Sequence, residues 1–162
     1  YITQEPVIFN DSIFNNVTFW DEPTPENFKR FEHAIQLAKI SEFVANLPEK
    51  EKTMLGDNGM LVSGGQKQRI SIARELYKEV DILILDEATS ALDSETERSI
   101  QENIENLKGK YTIIIVAHRL STVKKADKIL VLDAGEIVSH VKFEELMEES
   151  KLFKKMVELQ DF

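Results

Sequence analysis

The first half of the chain alternates stretches at helical spacing with polar, glycine-containing loops. Residues 7–20 mix apolar and polar side chains and predict a packed loop with a short helical turn. Thr24 and the proline after it provide an N-cap and a first helical residue, and apolar residues then recur at roughly helical spacing. Ser41 is expected to cap a second short helix that ends before Pro48, and residues 50–62 show no periodicity and predict a loop.

In the second half, short aliphatic runs alternate with amphipathic stretches. Such alternation is typical of an α/β fold with a parallel sheet. We expect helices over residues 63–77, 94–107, 121–126 and 143–159, strands over 81–85, 112–116 and 128–132, and a hairpin strand over 136–140.

Composition narrows the class of protein. The 162 residues carry a formal charge of −9, which disfavours nucleic acid as a partner. The chain has no cysteine, so disulfides and thiolate chemistry are excluded. The aliphatic runs are far shorter than the ~20 residues that a membrane-spanning helix needs.

The segment V-S-G-G-Q-K-Q-R at residues 62–69 combines two glycines with a helix start. Ser63 and Gln66 have the spacing of a capping box. Glycines let the backbone approach an anion closely, and the first turn of a helix presents N–H groups and a positive dipole end. The segment therefore fits a phosphate site, although an ordinary glycine-rich helix cap has the same features.

Two adjacent acids, Asp86 and Glu87, follow the aliphatic run of residues 82–85. The carboxyl edge of a parallel sheet is where such folds bind ligands. One carboxylate can hold Mg²⁺, while the next orients or deprotonates an attacking water. The same pair could also be a solvated entry to a loop.

Two further polar residues come at or just after the ends of extended segments. His118 follows the strand of residues 112–116 and could donate a hydrogen bond to a phosphate, although a lone histidine there is more often structural. Gln4 follows the extended residues 1–3 and could equally be a turn residue. His33 and His140 have no comparable setting and are expected at the surface.

Together these segments resemble the ATPase domain of the ABC family. Residues 62–66 are similar to its L-S-G-G-Q signature, with Val62 in place of leucine, and residues 82–87 are similar to its Walker B motif. Residues 90–93 look like its D-loop, and the surroundings of Gln4 and His118 look like its Q-loop and H-loop. The resemblance implies ATP and Mg²⁺ as ligands. It implies Glu87 as general base with His118 as the second catalytic residue, Asp86 and Gln4 on the metal, and Gln4, Ser63, Gly64, Gly65, Gln66 and Asp93 on the nucleotide.

Within that family, the chain resembles the exporters in particular. Residues 8–17 and 53–59 look like segments of ABC exporters, the second with Asp57 where glutamate is common. This resemblance implies a domain on the cytoplasmic side of the membrane that couples ATP hydrolysis to export. Its partners would be a second such domain, bound head to tail, and a transmembrane domain. Phe14, Phe19 and Trp20 are then expected to face a partner, unless they simply pack the interior.

The resemblance also implies a P-loop NTPase fold, with a helical subdomain over residues 10–80 and a RecA-like core from residues 1–9 and 81–162. None of the six glycines fits the phosphate-binding pattern G-x-x-x-x-G-K-[ST]. The strand that carries this loop in the family would lie between those of residues 112–116 and 128–132. We therefore expect a C-terminal piece of the domain with unpaired strand edges, which folds poorly and binds and hydrolyses ATP inefficiently by itself.

Two alternatives stay open at this point. A soluble ABC protein without transport would keep the fold, although the exporter-like segments argue against it. A non-catalytic interaction module would explain the missing P-loop pattern but not the retention of Asp86, Glu87 and His118 together.

Overall fold

The computed structural model describes residues 1–88, 94–117, 120–150, 153–154 and 157. The chain forms two compact units, Tyr1–Val116 and Ala117–Phe162. The first unit contains helices α1 (Ile13–Thr18), α2 (Pro25–Leu37), α3 (Ser41–Asn46), α4 (Gly64–Tyr77) and α5 (Ser94–Glu105), strands β1 (Ile82–Asp86) and β2 (Thr112–Val116), and 3₁₀ turns at Lys50–Lys52 and Asp57–Gly59.

Side-chain caps start most of the helices in this unit. The Thr24 hydroxyl accepts a hydrogen bond from the Asn27 N–H, and the proline after Thr24 begins α2 as expected. Ser41, in contrast, does not cap α3. The N-cap of α3 is Ile40, which makes no side-chain capping bond, and Ser41 is the first helical residue. The expected boundary was therefore wrong by one residue, because the apolar Ile40 is 1% exposed and its place is set by packing.

The sheet of the first unit consists of β1 and β2, which pair in parallel from Ile82 opposite Thr112 to Asp86 opposite Val116. Ile2 adds a single parallel bridge to Leu85 on the other edge of β1. Among the described residues of this unit, β2 pairs with a strand on one edge only. Three aliphatic side chains of β2 are at least 38% exposed: Ile114, Ile115 and Val116. This agrees with the expected unpaired edge.

Helices α1, α2 and α4 pack around one apolar core. Phe14 belongs to this core, since it is 6% exposed and its ring lies 5.1 Å from that of Phe31 and 6.2 Å from that of Phe28. The expectation that Phe14 faces a partner was wrong. Phe14 occupies the second position of α1, on the side that packs against the neighbouring helices.

The second unit contains α6 (Leu120–Val123), β3 (Ile129–Asp133), β4 (Glu136–Val141) and α7 (Phe143–Glu149). The expected hairpin is present, because β3 and β4 pair antiparallel with an irregularity between Val131 and Leu132. Helix α7 ends at Glu149 rather than at residue 159, and the described residues 153, 154 and 157 are helical again. Ser150 interrupts it with extended backbone, and the Ser150 hydroxyl accepts from the Phe153 N–H, as an N-cap does.

Candidate functional site

The two adjacent carboxylates lie at the carboxyl end of β1. Asp86 is the last residue of the strand, and Glu87 follows with a φ of 49°, in the left-handed region. The Glu87 N–H donates to the Val116 carbonyl over 3.1 Å, which fixes this backbone turn to β2. A non-glycine residue in this conformation costs about 1–2 kcal/mol, and such strain concentrates at functional sites. The turn therefore marks Glu87 as a candidate for chemistry.

The extended N-terminal residues bring Gln4 to the same edge. The Ile2 N–H donates to the Ile84 carbonyl over 2.8 Å, and the Asp86 N–H donates to the Ile2 carbonyl over 2.9 Å. Because these bonds run alongside the end of β1, the residues after Ile2 leave the sheet next to the two carboxylates.

An open cleft of about 460 Å³ lies between these segments. It is lined by Thr3, Gln4, Glu5, Val7, Asp86 and Glu87. Carboxylate and amide oxygens are the ligands that Mg²⁺ prefers, so the donor set of this cleft fits that ion. The phenol of Tyr1 donates a hydrogen bond to Asp86, and this bond raises the pKa of Tyr1 above its usual value.

The glycine-rich segment forms the expected cap of α4. The Ser63 hydroxyl accepts from the Gln66 N–H over 3.3 Å, and the Gln66 side chain accepts from the Ser63 N–H over 2.8 Å. The hydroxyl can still donate its own hydrogen to a phosphate oxygen. Ser63 and Gly64 are exposed, so the first turn of this 14-residue helix is open to an anion. Among the described residues, those of this cap do not line the cleft at Asp86.

Gly65 has a different environment from Gly64, because it is buried against α5. A Cβ atom at Gly65 would lie 2.4 Å from the Cγ2 methyl of Thr96. The glycine therefore allows close contact of the two helices. Thr96 carries no sequence signal that pairs it with residue 65, since the two are distant along the chain.

We expect Gly65→Ala to destabilise the domain by about 1–2 kcal/mol, although the same change in a free helix stabilises it by up to about 1 kcal/mol. The cause is the clash with the Thr96 methyl. Thr96→Ser removes that methyl, so the double variant should recover most of the loss. Urea unfolding of the four proteins measures the coupling. Equal losses from Gly65→Ala in both backgrounds would contradict this account.

Two of the predicted site residues, Asp93 and His118, lie outside the described residues. Their roles stay predictions, as do those of the other predicted site residues. His33 is exposed on α2, as expected.

Phe19 and Trp20, the other two residues expected to face a partner, are 44% and 48% exposed. Both have left-handed backbone, with φ of 56° and 64°, which is costly for bulky side chains. The Trp20 indole N–H donates to Asp11 over 2.7 Å, and the neighbouring Asn10 amide donates to Asp57 over 2.6 Å. These bonds join the aromatic pair and the loop of residues 53–59 into one surface.

Two residues of α4 contact residues 3–7, which we call the Gln4 segment, and the sequence did not predict them. Gln68 and Arg74 are polar side chains on the buried face of the helix, 1% and 6% exposed. The available signal was an arginine within the mainly apolar stretch from Ile70 to Tyr77, which indicates a buried cation with fixed partners.

The described part of the chain lacks two features. No helix there is long and apolar enough to cross a membrane. No group of three or more histidine, aspartate or glutamate residues there could hold a metal ion by itself.

Comparison with known proteins identifies related sequences. The sequence model described as "ABC transporter" matches residues 1–90. The ATP-dependent lipid A-core flippase of Cupriavidus pinatubonensis (strain JMP 134 / LMG 1197) is 48% identical over 154 residues, which cover 94% of this chain and 26% of the flippase. The flippase of Shewanella frigidimarina is 43% identical over 159 residues, with 98% and 26% covered.

A solved structure also has the same fold. A bacterial Atm1-family ABC exporter with ATP bound matches with a TM-score of 0.84 and 37% identity, over 99% of this chain and 28% of the exporter chain. This chain thus spans only 26% of the length of the two flippases and 28% of the exporter chain.

Proposed function

This chain belongs to the ABC transporter family, and on that premise we propose that it is part of the nucleotide-binding domain of an exporter. Such a domain couples ATP binding and hydrolysis to movement of a substrate across a membrane. The observation that carries the proposal is the cleft at the carboxyl end of β1, where Gln4, Asp86 and Glu87 line one space.

In the proposed mechanism Asp86 and Gln4 would hold Mg²⁺. The ion, when bound, neutralises charge on the phosphates of ATP. Glu87 accepts a proton from the attacking water and orients it toward the γ-phosphate. The left-handed turn at Glu87, whose N–H is bonded to the Val116 carbonyl, would keep this residue in the lining of the cleft. His118 donates a hydrogen bond to the γ-phosphate.

The cap of α4 serves a second nucleotide in this proposal. Two domains pair head to tail, and residues 63–66 of one contact the ATP held by the P-loop of the other. The Ser63 hydroxyl and the N–H groups of Gly64 and Gly65 supply the donors. Asp93, in the D-loop, contributes from between the two sites. The support is that the residues of this exposed helix start are not among those that line the cleft.

The surface of Phe19, Trp20 and the loop of residues 53–59 faces the transmembrane domain in this proposal, on the cytoplasmic side of the membrane. Its support is the exposure of both rings and of Met54, which is 47% exposed. Asp57, bound to Asn10, places a carboxylate beside these apolar groups.

ATP affinity tests the proposal. We expect this 162-residue chain to bind ATP at least about 100-fold more weakly than a polypeptide extended upstream to include the P-loop. The lost contacts are charge-assisted hydrogen bonds worth about 1.5–3 kcal/mol each, and two of them account for that factor. Equilibrium binding of a fluorescent ATP analogue measures both proteins.

The matched control is the extended polypeptide with its P-loop lysine replaced by alanine, which should bind about as weakly as the chain. Equal affinity of the chain and the extended polypeptide would contradict the proposed division of the site. Absence of ATP binding in both would favour an interaction module instead.

A further inference from the structure

Helix α4 contacts the Gln4 segment on both sides of that residue. The Gln68 side-chain amide donates to the Thr3 carbonyl over 3.4 Å, and the Arg74 guanidinium donates to the Val7 carbonyl over 2.9 Å. The two bonds therefore flank Gln4, Glu5 and the proline after them. Both donors come from one rigid element, so the ends of this short loop are held at a fixed separation.

Arg74 is itself held firmly. Its Nε donates to the Asn16 carbonyl over 2.7 Å and its Nη2 to the Asn16 side-chain oxygen over 3.3 Å. The guanidinium also lies over the rings of Phe9 and Phe19, at 5.4 and 5.1 Å. Burial lowers the pKa of Arg74, because the charged form loses solvent. A buried cation is kept only where its hydrogen bonds are satisfied, and here the bond to Val7 is one of them.

The loop between the two bonds has little packing of its own. Gln4 and Glu5 are exposed, and the Thr3 hydroxyl donates to the Glu5 carbonyl over 2.9 Å within the loop. Packing resumes at Ile8, which is 3% exposed. The position of Gln4 relative to the cleft therefore depends on where α4 holds Thr3 and Val7.

We infer that Gln68 and Arg74 are positioning residues that hold Gln4 against Asp86 and Glu87. This inference rests on the proposed function, in which Gln4 acts on the metal side of the site. Gln68 and Arg74 act only through the loop, since neither lines the cleft. Because α4 begins at the Ser63 cap, one helix fixes both the phosphate-facing turn and the metal-side glutamine.

The test is the Mg²⁺ concentration that gives half-maximal ATP hydrolysis by the full-length protein. Gln68→Met keeps the length of the side chain and removes its hydrogen-bond donor. Arg74→Lys keeps the positive charge, but lysine lacks the planar guanidinium whose separate N–H groups bond Val7 and Asn16 at the same time. Partners that orient metal ligands typically contribute about 10–100-fold to metal affinity. We expect each variant to raise the half-maximal Mg²⁺ concentration by about 10-fold. The affinity for ATP, measured in the absence of metal, should not change.

Arg69→Met is the matched control. Arg69 is also an arginine of α4 that donates to backbone carbonyls, but these are of Ala38 and Lys39, away from the Gln4 loop. It should lower stability toward urea without changing the Mg²⁺ requirement. A rise in the Mg²⁺ requirement of Arg69→Met equal to that of Gln68→Met would overturn the inference, because general loosening of the helix would then explain both.

A double-mutant cycle isolates the route through Gln4. If Gln68 acts through this residue, Gln68→Met adds no further shift in the Gln4→Ala background. An additive shift, or an unchanged Mg²⁺ requirement in Gln68→Met alone, overturns the inference while leaving the proposed function intact. A wild-type protein without Mg²⁺-dependent ATP hydrolysis would overturn the proposed function, and the inference with it.

Discussion

Replacing Glu87 with glutamine is expected to lower the ATP turnover of the full-length protein by about 10²–10⁴-fold, the usual contribution of a general base. The amide keeps the size of the side chain but cannot accept the proton of the attacking water. The Glu87 backbone is fixed by its hydrogen bond to the Val116 carbonyl, so the turn should persist in the variant. Affinity for ATP should therefore change little.

Steady-state hydrolysis and equilibrium ATP binding, measured on the same preparation, check both parts of this result. Glu5→Gln is the matched control, since Glu5 is an exposed carboxylate in the same cleft with no assigned chemical role. Its turnover should stay within about two-fold of wild type, because a solvated charge contributes little. Undiminished hydrolysis in Glu87→Gln would remove Glu87 as the base, and equal losses in both variants would point to the charge of the cleft instead.

Local signals in the sequence predicted local structure well. The caps at Thr24 and Ser63 act between residues three apart, so the side chains that make them are visible in the sequence itself. Strand β2 has the predicted bounds because its aliphatic run lies between a turn and a polar segment. The adjacency of Asp86 and Glu87 at a sheet edge follows from the same reasoning.

Contacts between distant residues could not be predicted in this way. Phe14 and Phe19 have similar sequence surroundings, yet Phe14 packs against Phe31 while Phe19 is half exposed. The difference comes from α1, which turns Phe14 inward and ends at Phe19 in a left-handed cap. The approach of Gly65 to Thr96 likewise depends on how two helices pack, which no spacing in the sequence records.

Loss of the Asn16 side chain should strongly destabilise the fold. Its side chain is fully buried, accepts from the Phe9 N–H over 2.8 Å, and donates to the Phe9, Asp11 and Ser12 carbonyls. It also accepts from Arg74. Asn16 thus closes the turn that leads into α1 and satisfies a buried cation at the same time. Together these tasks require an amide, which carries donors and an acceptor on one side chain.

We expect Asn16→Leu to lower the free energy of unfolding by about 3–5 kcal/mol. Leucine is similar in size, so the loss comes from groups left buried without partners, at about 1–3 kcal/mol each and more where one is charged.

Asn15→Ala is the matched control on the same helix. Asn15 makes one partly exposed side-chain bond, to Asp11 over 2.9 Å, and its removal should cost less than about 1 kcal/mol. Urea unfolding of the full-length protein's ATP-binding domain measures both. Similar losses in the two variants would mean that Arg74 and the turn before α1 find other partners, and that Asn16 is not the centre of this network.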